Sequence, residues 1–353
     1  MFSITYTTTF SIRSFHSKHL LTIDYLSHAI LKILLFTICK EKTMKKNLEL
    51  CEACKQNPVH KIEESGEANQ SQNFLVMNGS VQIHENRLDE YVDFINTNNF
   101  TDVYINDLRY SLNHINFLER CPQIESLHIS STCITDYSSL YNLKNLKSLA
   151  LEESQVPLNL TALESYTNLE ELYIQWNKNI TGFESCPNLK ELYIWKYKPK
   201  QKNLEELMSL QKLEKLSITQ GNINSLKGCS AFPKLKHLEI NYLRNLEHID
   251  EIEHNASTLT YIEFNNCSKM KNHDYLRYLT EIETVILSSC GNIQNLQFVK
   301  ELPKLKLLSF LDSTIVDGNL EPCVGIDFIG FNNKKHYTHK FNELNKDHKS
   351  TLV

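Results

Sequence analysis

The sequence predicts an α/β solenoid, a curved right-handed superhelix with a parallel concave sheet and short helical or irregular convex segments. Three observations carry this prediction. An apolar-x-x-apolar-x-apolar pattern recurs along most of the chain, short segments within it alternate apolar and polar residues, and the 353 residues include only nine glycines and eight prolines. A fold with so few turn-forming residues must turn its corners without glycine, unlike an ordinary sandwich or barrel.

Composition narrows the function classes. The formal net charge is −5 and the isoelectric point is about 6.3, which is unlike the basic surface of a nucleic-acid binder. Most of the ten cysteines fall inside the repeat pattern, where a thiol serves as a small apolar residue. We interpret them as reduced thiols, which predicts a cytoplasmic protein.

Residues 1–43 differ in composition from the rest of the chain. Their longest uninterrupted apolar run, residues 33–36, is far shorter than the ~20 residues that span a bilayer, and no cleavage site of a signal peptide follows it. We therefore interpret residues 1–43 as a non-native or disordered extension, with a membrane anchor as the alternative. Residues 44–72 are rich in Glu, Gln, Asn and Lys, which predicts a poorly ordered leader.

One motif in this leader is half of a zinc site, because Cys51 and Cys54 are separated by two residues and His60 follows. A structural zinc site needs four ligands, and no second Cys-x-x-Cys pair stands at the usual spacing. Isolated thiols in an unstructured segment explain the motif more simply. We predict no metal and no other cofactor, with metal binding by these three residues as the open alternative.

Residues 73–99 are predicted to cap the N-terminal end of the solenoid. Leu88, Tyr91, Val92 and Ile95 recur at helical spacing, which predicts an amphipathic helix over residues 85–97. Repeat arrays need such caps because a terminal repeat has no neighbour to cover its apolar side.

The repeats occupy residues 100–330, and a polar C-terminal tail occupies residues 331–353. Ten copies of the apolar pattern begin 20 to 24 residues apart, and a terminal strand follows at residues 326–328. Segments such as residues 172–174 alternate apolar and polar side chains, which is typical of a half-buried strand, and strands one repeat apart are expected to stack into a parallel sheet. The copies begin at Phe100, Ile124, Leu146, Leu169, Leu189, Leu213, Leu235, Leu259, Ile282 and Leu305.

The pattern resembles the leucine-rich-repeat family, in the short-repeat, internalin-like class of free-standing bacterial solenoids. The family consensus L-x-x-L-x-L-x-x-N/C is met most closely by residues 169–177, 259–267 and 282–290. In that family the last position holds a buried Asn or Cys that ties the turn after the strand. Here Leu108, Thr132 and Tyr197 are among the residues at that position, so the resemblance implies an irregular spine.

The outward-facing residues of stacked strands align in columns, so the surface can be read from the repeats. Aromatic residues fall on adjacent strands about 4.8 Å apart and form one cluster, and exposed Tyr and Trp dominate binding hot spots. The glutamates around this cluster are expected to be mostly uncompensated, because many lysines fall at a flank position after the first leucine. The predicted partner-binding residues are Tyr173, Tyr193, Trp195, Trp176, Gln175, Glu152, Glu171, Glu191, Glu239, Glu263 and Tyr261.

No arrangement of residues indicates catalysis. Glu171 and Glu191 are stacked neighbours, as are Glu239 and Glu263, but acid–base catalysis needs a sheltered cleft and the predicted face is open. The histidines of the face stand apart from any nucleophile, and the sequence has no Gly-rich phosphate loop. We predict that the protein is not an enzyme.

These features predict a monomeric protein-interaction module that binds a basic protein partner on its acidic, aromatic concave face, and neither nucleic acid nor a membrane. The resemblance implies a protein that masks its partner, as an inhibitor or immunity-type protein. An internalin-like surface adhesin is one alternative, and it requires secretion and wall-anchoring signals. An intracellular scaffold or enzyme regulator, whose convex side also binds, is another.

Overall fold

The structure is a computed structural model, and it describes residues 74–152, 158–160 and 167–346. The chain divides into two compact units, Met1–Val81 and Gln82–Val353. The predictions for residues 1–43, for the leader and for the motif of Cys51, Cys54 and His60 therefore lie outside the described residues.

The described part of the first unit is a short β-hairpin. Strands β1 (Val76–Met77) and β2 (Ser80–Gln82) pair antiparallel. Asn78 and Gly79 form the turn, with φ of 53° and 88°. Asn-Gly is favoured at a two-residue hairpin turn because both positions require positive φ, and this dipeptide is a signal that the sequence analysis missed.

The second unit begins at Gln82, the last residue of β2, and its first helix is α1 (Leu88–Thr97), which follows a 3-10 turn at Glu85–Arg87. Its buried residues are Tyr91, Val92 and Ile95, all members of the predicted apolar stripe. Two polar side chains fix the helix to the first repeat. Asn96 donates to the carbonyl of Arg120 at 3.0 Å, and Asp89 lies 2.7 Å from the Arg120 guanidinium.

The repeat strands form one parallel sheet, as predicted, because each strand pairs with the strand one repeat away. Leu149, Leu172 and Leu192 are opposite one another in register and fully buried, so the leucine rows build a continuous core. The strands of this sheet are β3 (Asp102–Asn106), β4 (Ser126–Ser130), β5 (Ser148–Glu152), β6 (Glu171–Gln175), β7 (Glu191–Tyr197), β8 (Lys215–Gly221), β9 (His237–Asn241), β10 (Tyr261–Asn265), β11 (Thr284–Ser288), β13 (Leu307–Ser309) and β15 (Phe328–Gly330).

Short 3-10 segments lie opposite the sheet, which confirms the predicted short helical or irregular convex side. A two-stranded ladder of β12 (Asn292–Ile293) and β14 (Thr314–Ile315) adds to the later repeats. The 3-10 segments are Asn116–Arg120, Ser138–Asn142, Phe183–Ser185, Glu205–Leu207, Cys229–Ala231, Asp250–Asn255, His273–Tyr278, Gln297–Glu301 and Glu321–Cys323.

The spine of buried turn residues is irregular, as the departures from the consensus imply. Cys290 donates its thiol to the carbonyl of Phe264 at 3.2 Å, and Ser313 donates to Leu287 at 2.6 Å. In the first two repeats the buried turn residue does not lie at the consensus position. Leu108 is 94% exposed, and in the next repeat Ser131 is buried in place of Thr132. The turn there is one residue shorter than the consensus predicts.

An exposed asparagine ladder connects the early repeats by hydrogen bonds on the side where the chain enters the strands. The residue before the first leucine is asparagine in three successive repeats. Asn145 donates to the carbonyl of Pro122 at 3.0 Å, Asn168 donates to Lys144 at 3.4 Å, and Asn188 donates to Thr167. The repeated Asn-Leu dipeptide is the sequence signal of this ladder, and it was not among the predicted features.

The residue after the first apolar residue of the repeat forms a flank column, in which acidic and basic residues alternate from Glu125 to Lys236 before Thr260 interrupts the alternation. Each of four lysines pairs with the glutamate of the preceding repeat at 2.8 or 2.9 Å. The side chains are exposed, so each pair contributes little to stability, on the order of 0–1 kcal/mol. The pairs are Glu125 with Lys147, Glu170 with Lys190, Glu214 with Lys236, and Glu283 with Lys306.

The segment after β15 covers the last strand of the sheet. Phe331 and Tyr337 are buried, and helix α2 (Phe341–Leu344) brings Asn345 against the sheet edge. The Asn345 amide accepts from the backbone N–H of Ile329 and donates to its carbonyl, both at 2.9 Å. This side chain therefore replaces the backbone partner that a further strand would supply.

Candidate functional site

Three columns of side chains project from the outer surface of the sheet, which we call the strand face. In most strands from β3 to β10 the first, third and fifth residues are half-buried, while the second and fourth are buried. The strand registers align these residues as the repeat spacing predicts. The middle column runs through Tyr104, His128, Ala150, Tyr173, Tyr193, Ser217, Glu239 and Glu263.

The centre of the strand face is a stacked tyrosine pair, Tyr173 and Tyr193. These residues are opposite each other on β6 and β7, and their ring centroids are 4.1 Å apart with an interplanar angle of 7°. Parallel strands are spaced about 4.8 Å apart, so two tyrosines at the same register position stack face to face.

Two carboxylates lie beside the tyrosine pair in the first column. The Tyr193 hydroxyl donates to Glu191 Oε2 at 2.7 Å, and the Ser148 hydroxyl donates to Glu171 Oε2 at 3.1 Å. Burial raises the pKa of Tyr173 to about 12, and burial together with Tyr173 and Glu191 raises the pKa of Tyr193 further. Both phenols therefore keep their protons at neutral pH, and that of Tyr193 is donated to Glu191.

The third column adds an exposed indole next to the tyrosine pair. Trp195 is 48% exposed and is opposite Gln175, whose Oε1 accepts from Lys196 Nζ at 3.0 Å. The structure does not bring Trp176 into this group, contrary to the predicted cluster. Its ring packs edge-on against Tyr197, 4.9 Å away, because it follows the last residue of β6 and turns into the loop.

A second aromatic stack, the histidine–tyrosine pair, lies on β9 and β10. The rings of His237 and Tyr261 are 4.0 Å apart at 4°. His237 Nε2 lies 2.6 Å from Glu239 Oε1, and the Tyr261 hydroxyl donates to Glu263 Oε2 at 2.7 Å. Burial and Glu263 raise the pKa of Tyr261.

Each pair combines two stacked rings with two glutamates, but the columns that the rings and the carboxylates occupy are exchanged. At the tyrosine pair the carboxylates occupy the first column and the rings the middle column, and at the histidine–tyrosine pair these positions are exchanged. Tyr261, Glu239 and Glu263 are among the predicted partner-binding residues, whereas His237 is not. The tripeptides Glu-Leu-Tyr on β7 and Tyr-Ile-Glu on β10 were the available signal.

Lys215 connects the two pairs, and the sequence analysis did not assign it to the site. Its Nζ lies 5.1 Å from the centroid of the Tyr193 ring and 3.6 Å from Glu239 Oε1. Ser217, in the middle column of the same strand, donates to Glu239 Oε2 at 3.2 Å. The lysine therefore spans from the tyrosine pair on β7 to the carboxylate on β9.

The expectation that the glutamates are mostly uncompensated is wrong for two of them. Glu239 has Lys215 and His237 within 4 Å, and Glu152 Oε1 lies 3.4 Å from His128 Nε2. Burial raises the pKa of Glu152, but the interactions with His128 and Ser130 outweigh it, and the net pKa is lowered. Glu171, Glu191 and Glu263 accept hydrogen bonds from the hydroxyls of Ser148, Tyr193 and Tyr261, which are uncharged donors.

The accessible part of the strand face ends after β10. The repeat pattern continues the columns through Ile286 and Ser309, yet both are buried, and Leu307 and Phe328 in the first column are buried as well. The candidate site is therefore confined to the strands from β3 to β10, with the two aromatic pairs near its centre.

Within the described ranges, no group of three or more His, Cys, Asp or Glu side chains has the arrangement of a metal site. In the same part of the chain, no helix has the length and apolar character needed to cross a membrane. The described cysteines are free thiols. Burial raises the pKa of Cys121 to about 11 and that of Cys186 to about 12, so these thiols are protonated at neutral pH and are weak nucleophiles.

Solved structures provide the comparison with known proteins. An internalin (inlF) from Listeria monocytogenes has a TM-score of 0.52 and 16% sequence identity, covering 69% of this chain and 73% of that chain. Internalin C2 (inlC2) from the same organism has a TM-score of 0.39 and 20% identity, covering 60% and 83%. A chain of the mouse RP105/MD-1 complex has a TM-score of 0.44 and 16% identity, and this chain, matched over 66% of its length, spans 42% of it.

No protein-family model matches the sequence, and no curated protein matches it.

Proposed function

We propose, from the premise that the chain has the leucine-rich-repeat fold, that it is a non-catalytic module that binds a basic protein partner on its strand face. The observation that carries the proposal is the stacked tyrosine pair with Glu171 and Glu191 beside it and the exposed Trp195 next to it. Tyr and Trp supply large contact area at a small cost in conformational entropy, and they are enriched among residues that dominate binding energy.

The distribution of charge supports a basic partner. On the accessible strand face Asp102 and five glutamates stand against two lysines, Lys215 and Lys196, while the lysines of the flank column are paired with glutamates away from this face. A concave surface lined by one sign of charge attracts a partner of the opposite sign and accelerates association. The same charge disfavours nucleic acid and an anionic membrane surface.

The partner-binding set that we propose is the predicted one without Trp176, because its ring packs against Tyr197 in the loop after β6. The histidine–tyrosine pair joins the set through Tyr261, Glu239 and Glu263. Two half-buried polar positions, Gln175 and Glu152, extend it in the third column.

For the physiological role we propose a monomeric, cytoplasmic inhibitor or immunity-type protein that masks a basic partner. The free cysteine thiols are typical of a reducing compartment. An internalin-like surface adhesin and an intracellular scaffold or enzyme regulator are the alternatives. Sequence identity of 16% to an internalin supports the fold alone, so the choice between these roles depends on the partner.

The test is a triple variant, Tyr173→Ala, Tyr193→Ala and Trp195→Ala, used to capture the partner from native lysate and identify it by mass spectrometry. Each truncation of a binding hot spot costs about 2 kcal/mol or more, so we expect the partner's affinity to fall at least ~100-fold. Thermal unfolding followed by circular dichroism checks that the variant is folded.

The matched control is Met208→Ala with Tyr278→Ala, which removes two large side chains of similar exposure (45% and 47%) on the convex side. This control is expected to bind like the wild type. Undiminished capture of the same partner by a folded triple variant would falsify the proposed site, and loss of capture in the convex control would favour the scaffold alternative.

A further inference from the structure

We propose that the strand face binds an arginine side chain of its protein partner against the outer surface of Tyr193, and that Lys215 occupies this position in the unbound protein as an internal competitor. The inference rests on the proposed function, since it specifies the partner chemistry of the same face.

The neighbours of the tyrosine pair in the middle column leave room for a ligand. Tyr173 and Tyr193 cover each other's inner surfaces at 4.1 Å. The next residues on either side are Ala150 on β5 and Ser217 on β8, and both are too small to cover an aromatic ring. Each ring of the pair therefore faces a shallow step in the column rather than another large side chain.

The step at Ser217 contains a cation that belongs to the chain itself. Lys215 Nζ lies 5.1 Å from the Tyr193 centroid, within the ~6 Å range of a cation–π interaction. It also lies 3.6 Å from Glu239 Oε1. The intramolecular contact identifies the group that this position accepts, which is a cation with one side on an aromatic ring and a carboxylate within reach.

The geometry fits a guanidinium better than an ammonium. A guanidinium is planar, stacks on an aromatic ring and pairs with carboxylates through two parallel N–H bonds, whereas an ammonium is a compact, strongly hydrated point charge. Tyr193 offers a flat surface that its stacking partner and its bond to Glu191 hold in place. Glu239 lies on the opposite side of the step, two strands away. Its Oε2 accepts from Ser217 and its Oε1 lies 2.6 Å from His237, so one guanidinium N–H directed at Oε1 would replace the Lys215 contact.

A direct consequence is that an arginine of the partner must displace Lys215. Removing the lysine then strengthens binding, which is the opposite of what is expected for a residue that contacts the partner favourably. Lys196 provides a control that separates displacement of a lysine from a change in net charge. It lies one residue after Trp195 and is bonded to Gln175, not to the Tyr193 ring. Lys196→Met removes the same charge from the neighbouring strand.

The experiment measures binding of a fluorescein-labelled Gly-Arg-Gly-Arg-Gly peptide to the full chain by fluorescence anisotropy. We expect Lys215→Met to bind the peptide about three- to tenfold more tightly than the wild type, in line with the size of a partly desolvated cation–π interaction. Lys196→Met is expected to change the dissociation constant less than about twofold. Tyr193→Leu added to Lys215→Met should abolish the gain, and a Gly-Lys-Gly-Lys-Gly peptide should bind more weakly than the arginine peptide.

Equal effects of Lys215→Met and Lys196→Met would overturn the inference, because they would show a response to net charge only. Weaker binding by Lys215→Met, equal binding of the two peptides, or no binding of the arginine peptide by any variant would overturn it as well. The proposed function fails by a separate result, which is the retention of the natural partner by the alanine triple variant.

Discussion

Replacement of Gly221 by alanine is expected to destabilise the solenoid at one interface between repeats. Gly221 ends β8 and is opposite Tyr197, the last residue of β7. A Cβ atom built at Gly221 would lie 2.2 Å from the Tyr197 carbonyl oxygen and 3.0 Å from Leu243 Cδ2. The glycine is required here by close approach of the neighbouring backbone.

The size of the effect follows from these distances. Relief of an overlap of about 1 Å with a backbone atom requires β7 and β8 to separate locally, and overpacking of this kind costs roughly 1–3 kcal/mol. Separation also strains the hydrogen bond from Asn222 N–H to the Tyr197 carbonyl, now 3.1 Å, which contributes about 1 kcal/mol. The reduced freedom of the unfolded chain offsets about 0.4–1 kcal/mol. We expect a net loss of about 1–3.5 kcal/mol in the free energy of unfolding.

Urea unfolding followed by tryptophan fluorescence measures this loss close to the lesion. The chain has two tryptophans, and Trp195 lies on β7 while Trp176 packs against Tyr197. Thr219→Ala on the same strand adds no atom and serves as the control. Repeats interact with their neighbours only, so the repeats around β7 and β8 are expected to unfold first. In the Gly221→Ala variant the midpoint seen by tryptophan fluorescence should therefore lie at a lower urea concentration than the midpoint seen by far-ultraviolet circular dichroism. A loss below about 0.5 kcal/mol, or equal losses for both variants, would refute the steric argument.

Two further changes test other parts of the fold. Asn145→Ala removes the bond to the Pro122 carbonyl and is expected to lower the free energy of unfolding by about 0.5–1.5 kcal/mol. The control, Asn142→Ala at an exposed position nearby, should lower it less. Equal urea midpoints for the two variants would count against a stabilising role of the asparagine ladder. Burial lowers the pKa of His273 to about 4, so the folded state resists protonation, and its stability should fall by up to about 3 kcal/mol as pH decreases from 6.5 to 4. His273→Leu should reduce this acid sensitivity, and an unchanged pH dependence would show that other groups cause it.

The repeat strands and their register were predictable because the same apolar-x-x-apolar-x-apolar pattern marks the strand in every repeat, although the repeat length varies from 20 to 24 residues. A 23-residue unit has no core of its own, so Leu149, Leu172 and Leu192 can be buried only against the leucines of the neighbouring repeats. The stacking of Tyr173 and Tyr193 follows too, since equal register positions on adjacent parallel strands must be neighbours.

The remaining features depend on contacts that periodicity does not determine. Trp176 follows the end of a strand, where the turn decides the direction of the side chain. Lys215 has a long, flexible side chain with several carboxylates within reach, so the repeat pattern does not determine that its ammonium lies over the Tyr193 ring. Burial of Ser309 in the face is set by packing at the C-terminal end of the solenoid rather than by its own repeat.

Because charge alternates along the flank column, the number of repeats removed decides whether the new neighbours attract or repel each other. Glu125, Lys147, Glu170 and Lys190 succeed one another in consecutive repeats, with each lysine paired to the glutamate before it. Loss of the single repeat that carries Lys147 would set Glu125 beside Glu170, and like charges on adjacent strands repel. Loss of two consecutive repeats would restore an acidic residue next to a basic one. From β4 to β9, where the alternation is unbroken, removal or duplication of repeats in even numbers is therefore expected to preserve the ion pairs that a single removal would lose, a difference of up to about 1 kcal/mol per pair.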